Sequence, residues 1–363
     1  MYQSAIKVLK EIEENGFKAY IVGGYVRDHY LKRKSSDVDI CTSATPKEII
    51  NIFKNAIGST NEYGSVTLIY NKIIFEITTM RKELKYEFNR LPVKIEYIKS
   101  LKEDLLRRDF TMNTMCIDVN ENVIDKMDAK KDIDNHMIKT VGPAKIKIKE
   151  DTLRILRAVR FATILDFNLD KELIRYIKKY KNNLKTLSNY RKKEELEKIF
   201  SSTNNKKGLQ LIKELGLDKP LKIKNIKNIV ATNEAIGVWA QLETEEDFNF
   251  TKNEKIMIKK IKELKKNYSL TNELLYENGL YISRIVAQIN NIDLDAISKK
   301  YMNLPIKVTK DINIESMEIC EALNIPPSLK IKEVYKNLEK EILNYHLEND
   351  KEKIINYIKK NFK

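Results

Sequence analysis

Two aspartates one residue apart, Asp37 and Asp39, are the part of the sequence best equipped for chemistry. In an extended strand residues i and i+2 face the same side, so both carboxylates project together. Aspartate avoids strands, and two like charges side by side are costly unless a cation lies between them. A hard divalent ion such as Mg²⁺ takes oxygen ligands of this kind. The plainer alternative is a pair of solvated aspartates at a strand edge. Val38 and Ile40, on the opposite face, favour an ordered strand. Glu76, in the later run FEITT, is either a third carboxylate beside them or an ordinary exposed strand residue. Upstream, the strand over 20–22 runs into Gly23-Gly24 and a helix follows. Glycine there lets backbone approach a ligand closely, and the free N–H groups at a helix start favour a phosphate. Gly24 and Arg27, one turn in, are candidate triphosphate contacts, although a Gly-Gly turn also occurs as simple turn chemistry.

Two further segments carry arginine. In LLRRDFTMNTMCID, residues 105–118, Arg108 can reach a nucleotide sugar or phosphate, with Arg107 and Asp109 bracing the turn. A structural ion pair is the alternative. In EDTLRILRAVRF, residues 150–161, Asp151, Arg154, Arg157 and Arg160 recur at every third position. On a helix each step rotates the side chain by roughly 60°, so neighbours share a face while Arg160 swings away from Asp151. Leu153, Ile155, Leu156 and Val159 anchor that helix. A solvated arginine row with its aspartate at the helix N-terminus would fit the same pattern.

The elements that must hold these residues fall into two textures. Before residue 140 the runs AYIVGG, VDICT, SVTLIY, KIIFEITTM and MCIDV read as strands. Helices intervene, one opening at Gly24 and one near Pro46 with Thr45 as N-cap. From about 145 the strand signals fade, and DTLRILRAVRFATIL, KELIRYIKKY, KKEELEKIF and KKGLQLIKELG show helical spacing. The N-terminal segment reads as an amphipathic helix with Ala5, Val8, Leu9 and Ile12 on one face, not as a signal peptide. The predicted fold is α+β: a small mixed-sheet head followed by an all-helical neck, body and tail.

The chain has 363 residues and a formal net charge of +15, which suits a polyanion such as RNA. Lysine bias from an AT-rich genome would give the same excess. Cys41, Cys116 and Cys320 lie far apart, which points away from a disulfide framework or zinc site and towards thiols in a reducing cytoplasm. His29, His136 and His346 are equally scattered. No apolar run is long enough to span a membrane, so no membrane partner is expected.

The Gly-Gly-x-Val-Arg-Asp turn followed by Asp-x-Asp resembles the nucleotidyltransferase head of class II CCA-adding enzymes and bacterial poly(A) polymerases. The resemblance implies that Asp37 and Asp39 are catalytic and bind two Mg²⁺ ions, one activating an RNA 3′-hydroxyl and one holding the triphosphate. LLRRDFTMNTMCID is similar to the family's Arg-Arg-Asp-Phe-Thr segment, with Met112-Asn113-Thr114 where Ile-Asn-Ala is usual. At EDTLRILRAVRF the family resemblance implies that Asp151 and Arg154 read the incoming base as a protein template. Cytosine and adenine each offer an exocyclic amino donor where uracil and guanine offer a carbonyl. Arg157 and Arg160 then hold the triphosphate or brace Arg154. The segment between FEITT and RRDF, with Tyr86, Arg90 and Pro92, follows the spacing of a flexible loop that the family needs for terminal AMP addition. NYRKKEELEKIF, at 189–200, resembles a neck helix.

The implied division is a catalytic head over 1–140, a neck with the base-reading helix over 141–200, and a tRNA-binding body and tail over 201–363. The implied function is template-independent addition of CMP, CMP and AMP to tRNA from CTP and ATP, in the cytoplasm. A poly(A) polymerase, a CC-only or A-only enzyme and a non-catalytic RNA-binding protein are the rival readings, and the oligomeric state stays open. The sequence departs from the family pattern at Asp128-Ala129, where a Gly-Gly turn is usual, and at Pro326-Pro327, where a Pro-Gly is usual.

Overall fold

The computed structural model describes residues 1–35, 37–58, 64–87, 91–266 and 269–362, which form two compact units. The first holds residues 1–227 and 244–249, the second residues 228–243 and 250–363.

The first unit opens with α1 (Tyr2–Glu14), whose Ala5, Val8, Leu9 and Ile12 are all buried, as the periodicity predicts. β1 (Ala19–Val22) leads through Gly23 into α2 (Gly24–Tyr30), and β2 (Val38–Thr42) returns antiparallel to β1. α3 (Pro46–Ile52) starts at a capping box: Thr45 Oγ1 accepts the Glu48 N–H, and the Glu48 carboxylate accepts the Thr45 N–H. β3 (Ile57–Gly58), β4 (Ser65–Tyr70) and β5 (Ile73–Thr79) follow. β6 (Arg81–Glu87) and β7 (Leu91–Tyr97) pair as a separate antiparallel ribbon. The family resemblance had implied a loop there; in the described residues it is a hairpin, with Tyr86 and Pro92 as register partners. Arg90 lies outside the described residues.

α4 (Leu101–Leu106) then leads to β8 (Cys116–Ile117) and β9 (Val123–Ile124). The main sheet runs β3-β4-β5-β2-β1-β8-β9. β2 and β5 are parallel and the remaining pairs antiparallel, so the sheet is mixed. Every strand predicted from the sequence is present. β6, β7 and the two-residue strands β3 and β9 carried too weak an alternation to be read.

α5 (Ala129–Asp134) begins after a left-handed residue, Asp128, at φ 55°. The Asp125 carboxylate accepts the N–H groups of Met127, Ala129 and Lys130 and fixes this turn. The left-handed turn is made here without glycine, because aspartate tolerates that region better than most residues. β10 (Met137–Ile138), α6 (Ala144–Glu150), α7 (Leu153–Leu165), β11 (Asn168–Leu169), α8 (Lys171–Tyr180), α9 (Asn189–Phe200) and α10 (Asn205–Glu214) complete the helical part. An unforeseen feature is the short parallel pairing of β10 with β11. α7 is buried along most of its length, Arg154 and Arg160 included, which is why its hydrophobic pattern looks continuous rather than one-sided.

The second unit is helical, with α11 (Ala235–Trp239), α12 (Lys252–Leu264), α13 (Asn272–Ile289), α14 (Leu294–Met302), α15 (Ser316–Leu323), α16 (Leu329–Leu343) and α17 (Lys351–Asn361). Its larger core joins Leu275, Ile297, Val334, Leu338, Ile354 and Ile358. Pro326 and Pro327 lie between α15 and α16, where the chain must leave one helix before starting the next. Among the described residues no helix is long and apolar enough to cross a membrane. All three cysteines are buried free thiols.

Candidate active site

The strand-to-helix turn sets the first corner of the site. Gly23 adopts φ 77° and ψ −142°, and a Cβ there would lie 3.0 Å from Asp39 Oδ2. Only glycine fits, since both the backbone region and the space exclude a side chain. α2 therefore begins directly beside the Asp39 carboxylate.

Asp39 lies on β2 with Val38 and Ile40 buried behind it. Its register partner on β5 is Glu76, and both line one cavity. Asp37 stands one residue before β2 and is exposed, so the pair is less symmetrical than an unbroken strand would make it. Burial raises the Asp39 carboxyl above its ordinary value, Glu76 and Asp37 push the same way, and Arg108 opposes them. This corner holds like charges that Arg108 only partly offsets, since the Asp39 carboxyl stays raised. Its hard oxygen donors fit a divalent cation, which would relieve that repulsion. Among the described residues no three His, Cys, Asp or Glu side chains already converge as a metal cage.

The cavity has a volume of about 840 Å³. Eight arginines and five carboxylates line it, so its wall carries a net positive charge suited to a triphosphate. Gly24, Arg27, Asp39, Arg108, Asp151, Arg154, Arg157 and Arg160 all reach it. Of the sequence candidates only Asp37 does not line it.

Each arginine is held by the protein. Arg27 chelates Asp28 through Nε and Nη2 and donates from Nη1 to Asn113 Oδ1 at 2.7 Å. Asn113 Nδ2 donates in turn to Asp109 Oδ1 at 3.1 Å, and Arg157 donates from Nε to Asp109 Oδ2 at 2.8 Å. Burial alone would raise the Asp109 carboxyl, but Arg157 and Asn113 hold it well below the usual carboxylate range. Asp109 therefore joins the glycine turn to α7, which is more than the turn brace its sequence position suggests.

Arg154 donates from Nη1 to the Lys147 carbonyl and to Glu150, and from Nη2 to the Arg107 carbonyl. Arg160 donates to Glu195 Oε1 at 2.9 Å. The Phe161 ring lies under three guanidiniums, at 5.2 Å from Arg27, 5.5 Å from Arg157 and 4.4 Å from Arg160. Cation–π attraction packs these like charges around one aromatic ring. Arg160 so returns to the same cavity as Asp151, although rotation along a regular helix from Asp151 would turn it away.

That difference has a local cause. Asp151 is not on the helix. It sits between α6 and α7 at φ −141° and ψ 106°, and its Oδ1 accepts the Leu153 N–H at 2.9 Å. The helical phase counted from Asp151 does not apply, while Arg154, Arg157 and Arg160 are on α7 as expected.

Sequence reasoning missed Arg81, Glu83, Asp104, Phe161, Glu195 and Arg191. Arg81, Glu83, Phe161 and Arg191 line the cavity, while Asp104 and Glu195 brace its arginines. Only Asp104 left a local signal, since it precedes Arg107 and Arg108 by three and four residues.

Residues 19–139 match a family model described as the poly A polymerase head domain, which defines the catalytic class as a nucleotidyltransferase. Residues 166–224 match a probable RNA and SrmB-binding site of polymerase A, and residues 246–358 a putative tRNA nucleotidyltransferase domain 2. A CCA-adding enzyme of Ligilactobacillus salivarius is 33% identical over 99% of this chain and 96% of its own length. One of Staphylococcus haemolyticus is 30% identical over 100% and 99%. The chain belongs to the CCA-adding enzyme family. The solved CCA-adding enzyme of Bacillus stearothermophilus, in complex with CTP, superposes with a TM-score of 0.85 at 26% identity, covering 99% of this chain and 97% of that one. That of Thermotoga maritima, complexed with tRNA, shares the fold with a TM-score of 0.69 at 20% identity over 99% and 94%. Nucleotidyltransferases of this family generally use a divalent metal.

Proposed function

We propose that this protein adds CMP, CMP and AMP in turn to the 3′ end of tRNA from CTP and ATP, in the cytoplasm. The observation that carries the reading is one cavity shared by the Asp39–Glu76 corner, a braced arginine wall and Asp151. Full-length likeness to CCA-adding enzymes, not to a head domain alone, supports tRNA over general RNA ends.

Asp37 and Asp39 are the catalytic carboxylates and would hold Mg²⁺, with Glu76 in register as a third oxygen donor. Magnesium, when bound, supplies activation of the 3′-hydroxyl and neutralisation of the triphosphate. The open N–H groups at Gly24, with Arg27, Arg157 and Arg160, bind the triphosphate. Arg108 orients the nucleotide from beside the glycine turn. Asp151, its carboxylate fixed by the Leu153 N–H, accepts the exocyclic amine of cytosine or adenine, and Arg154 donates to the neighbouring ring acceptor. A carbonyl at that place leaves both partners unsatisfied, which excludes UTP and GTP.

The proposed division is a head over 1–140, a neck over 141–200 and a body and tail over 201–363. α8 is a candidate RNA contact. Tyr176 and Tyr180 stack at 6.1 Å, with Arg175 over the first ring and Lys179 over the second. Cations interleaved with aromatics suit a nucleic-acid backbone. The joint Arg175→Glu, Lys179→Glu variant should weaken tRNA binding and flatten its log–log salt dependence by about one to two. An unchanged slope removes α8 from the interface.

The deciding experiment offers each NTP singly, with Mg²⁺, to tRNA lacking its CCA end. CMP should enter first and AMP only after it. Long A tracts, indifferent to CTP, would establish a poly(A) polymerase instead, and a stop at either stage a CC-only or A-only enzyme.

A further inference from the structure

Asp104, on α4, is fully buried and does not line the cavity, yet it touches three residues that do. Its Oδ1 accepts from Arg107 Nε at 2.8 Å and from the Arg81 N–H at 3.2 Å. Its Oδ2 accepts from Arg108 Nε at 3.3 Å and Nη2 at 3.1 Å. Four donors use the carboxylate's hydrogen-bonding capacity in full. Arg108 thereby spends one edge of its guanidinium on Asp104. The nitrogen left over, Nη1, lies 3.8 Å from the point where a Gly23 Cβ would stand, a point that is itself 3.0 Å from Asp39 Oδ2.

We propose that Asp104 is a positioning residue of the nucleotide site: its buried carboxylate aims the free edge of Arg108 at the Gly23–Asp39 corner and keeps that guanidinium from collapsing onto Asp39. The inference rests on the assignment of this cavity to the nucleotide. Without Asp104, Arg81 and Arg107 still pair with Glu83, while Arg108 loses its carboxylate partner and is left facing Asp39. An arginine is required for the task. Its rigid fork can bind one carboxylate with two N–H groups and present a third elsewhere, whereas a lysine ammonium is a point charge on a flexible stem. Burial alone would raise the Asp104 carboxyl, but Arg107 and Arg108 hold it below its ordinary value, so the charge that aims the fork is kept.

The test is a double-mutant cycle in the full-length protein, read as the Kd for CTP without RNA and as KM and kcat with it. Asp104→Asn keeps the side-chain shape and should raise Kd and KM about tenfold while kcat moves less than threefold, the pattern of a lost ground-state contact. Arg108→Ala should do the same, and the double variant should be no worse than Arg108→Ala alone, because Asp104 acts through Arg108. Additive losses, or a fall confined to kcat, overturn the proposal. Arg108→Lys keeps the charge and leaves Asp104 intact, and should lose about as much as Asp104→Asn. Wild-type CTP binding in Arg108→Lys overturns the proposal even if Asp104→Asn fails to fold. A wild-type protein that binds CTP but extends no tRNA would sink the proposed activity and leave this inference standing.

Discussion

The two sides of the cavity are built on opposite electrostatic rules. On one side Asp39 and Glu76 repel one another, Asp37 adds to this from outside the cavity, and only Arg108 opposes the rise this causes in the Asp39 carboxyl. On the other side Arg27, Arg107, Arg108, Arg154, Arg157 and Arg160 each have a protein carboxylate in contact. The carboxylate corner is incomplete without a ligand, whereas the arginine wall is complete before one arrives. Preorganised charge costs little reorganisation when a nucleotide binds, while a corner of unrelieved like charge gains most from a cation. The difference teaches that the protein supplies positive charge from its own structure and has to borrow it where the carboxylates meet.

The largest effect should follow from breaking the incomplete side. Asp39→Ala should lower transfer about a thousandfold or more, as several kcal/mol of metal stabilisation at 1.4 kcal/mol per decade implies. tRNA binding should survive in a filter assay. An active variant would move the metal site elsewhere.

The complete side should fail through stability instead. Asp109→Ala takes the carboxylate from the half-buried Arg157 and from the Asn113 amide and should cost about 2–3 kcal/mol of unfolding free energy, measured by denaturant titration. The pH dependence carries a matching sign. Because the folded Asp109 carboxyl is held well below its unfolded value, its contribution is present above the unfolded pKa and is lost as pH falls below it. The wild-type advantage over the variant should therefore shrink below about pH 4. A pH-independent gap would mean that lost packing, not the ion pair, is being measured.

A smaller effect separates base choice from both sides. Asp151→Ala should raise UTP or GTP incorporation relative to CTP by about tenfold to a hundredfold, the worth of a charged hydrogen bond. Triphosphate affinity should change less. Full exclusion of UTP and GTP in that variant would refute the protein-template reading. The least effect is expected outside the cavity, at Asp128. Asp128→Gly should stabilise the fold by about 0.5–1 kcal/mol, since glycine adopts φ 55° without strain. A destabilised variant would show that the Asp128 side chain has a role of its own.

Much of the site was legible because its chemistry is local in sequence. Gly23-Gly24, Asp39 and the arginines of 154–160 sit at spacings that strands and helices convert directly into a shared site, whereas Asp37 falls one residue before β2 and does not line the cavity. The same local logic misplaced Asp151, because it lies in the break between α6 and α7, where its carboxylate accepts the Leu153 N–H. The ribbon β6–β7 and the residues Arg81, Glu83, Phe161, Glu195 and Arg191 gave no signal. Glu195 meets Arg160, and Glu83 meets Arg107, only across a long stretch of chain, while Arg81, Phe161 and Arg191 have local partners and only the fold brings them to the cavity.

The sequence alone determined the α+β head, the helical remainder, the carboxylate pair and the positions of the arginines. Periodicity and residue type suffice for these, since each depends on contacts within a strand or a helix. The tertiary structure alone decided which arginine is braced by which carboxylate, that Glu76 stands in register with Asp39, and that Asp104 directs Arg108 from behind the cavity wall. Those choices depend on which segments the fold brings within a few ångströms, and Coulomb and hydrogen-bond energies are set by that distance rather than by separation along the chain.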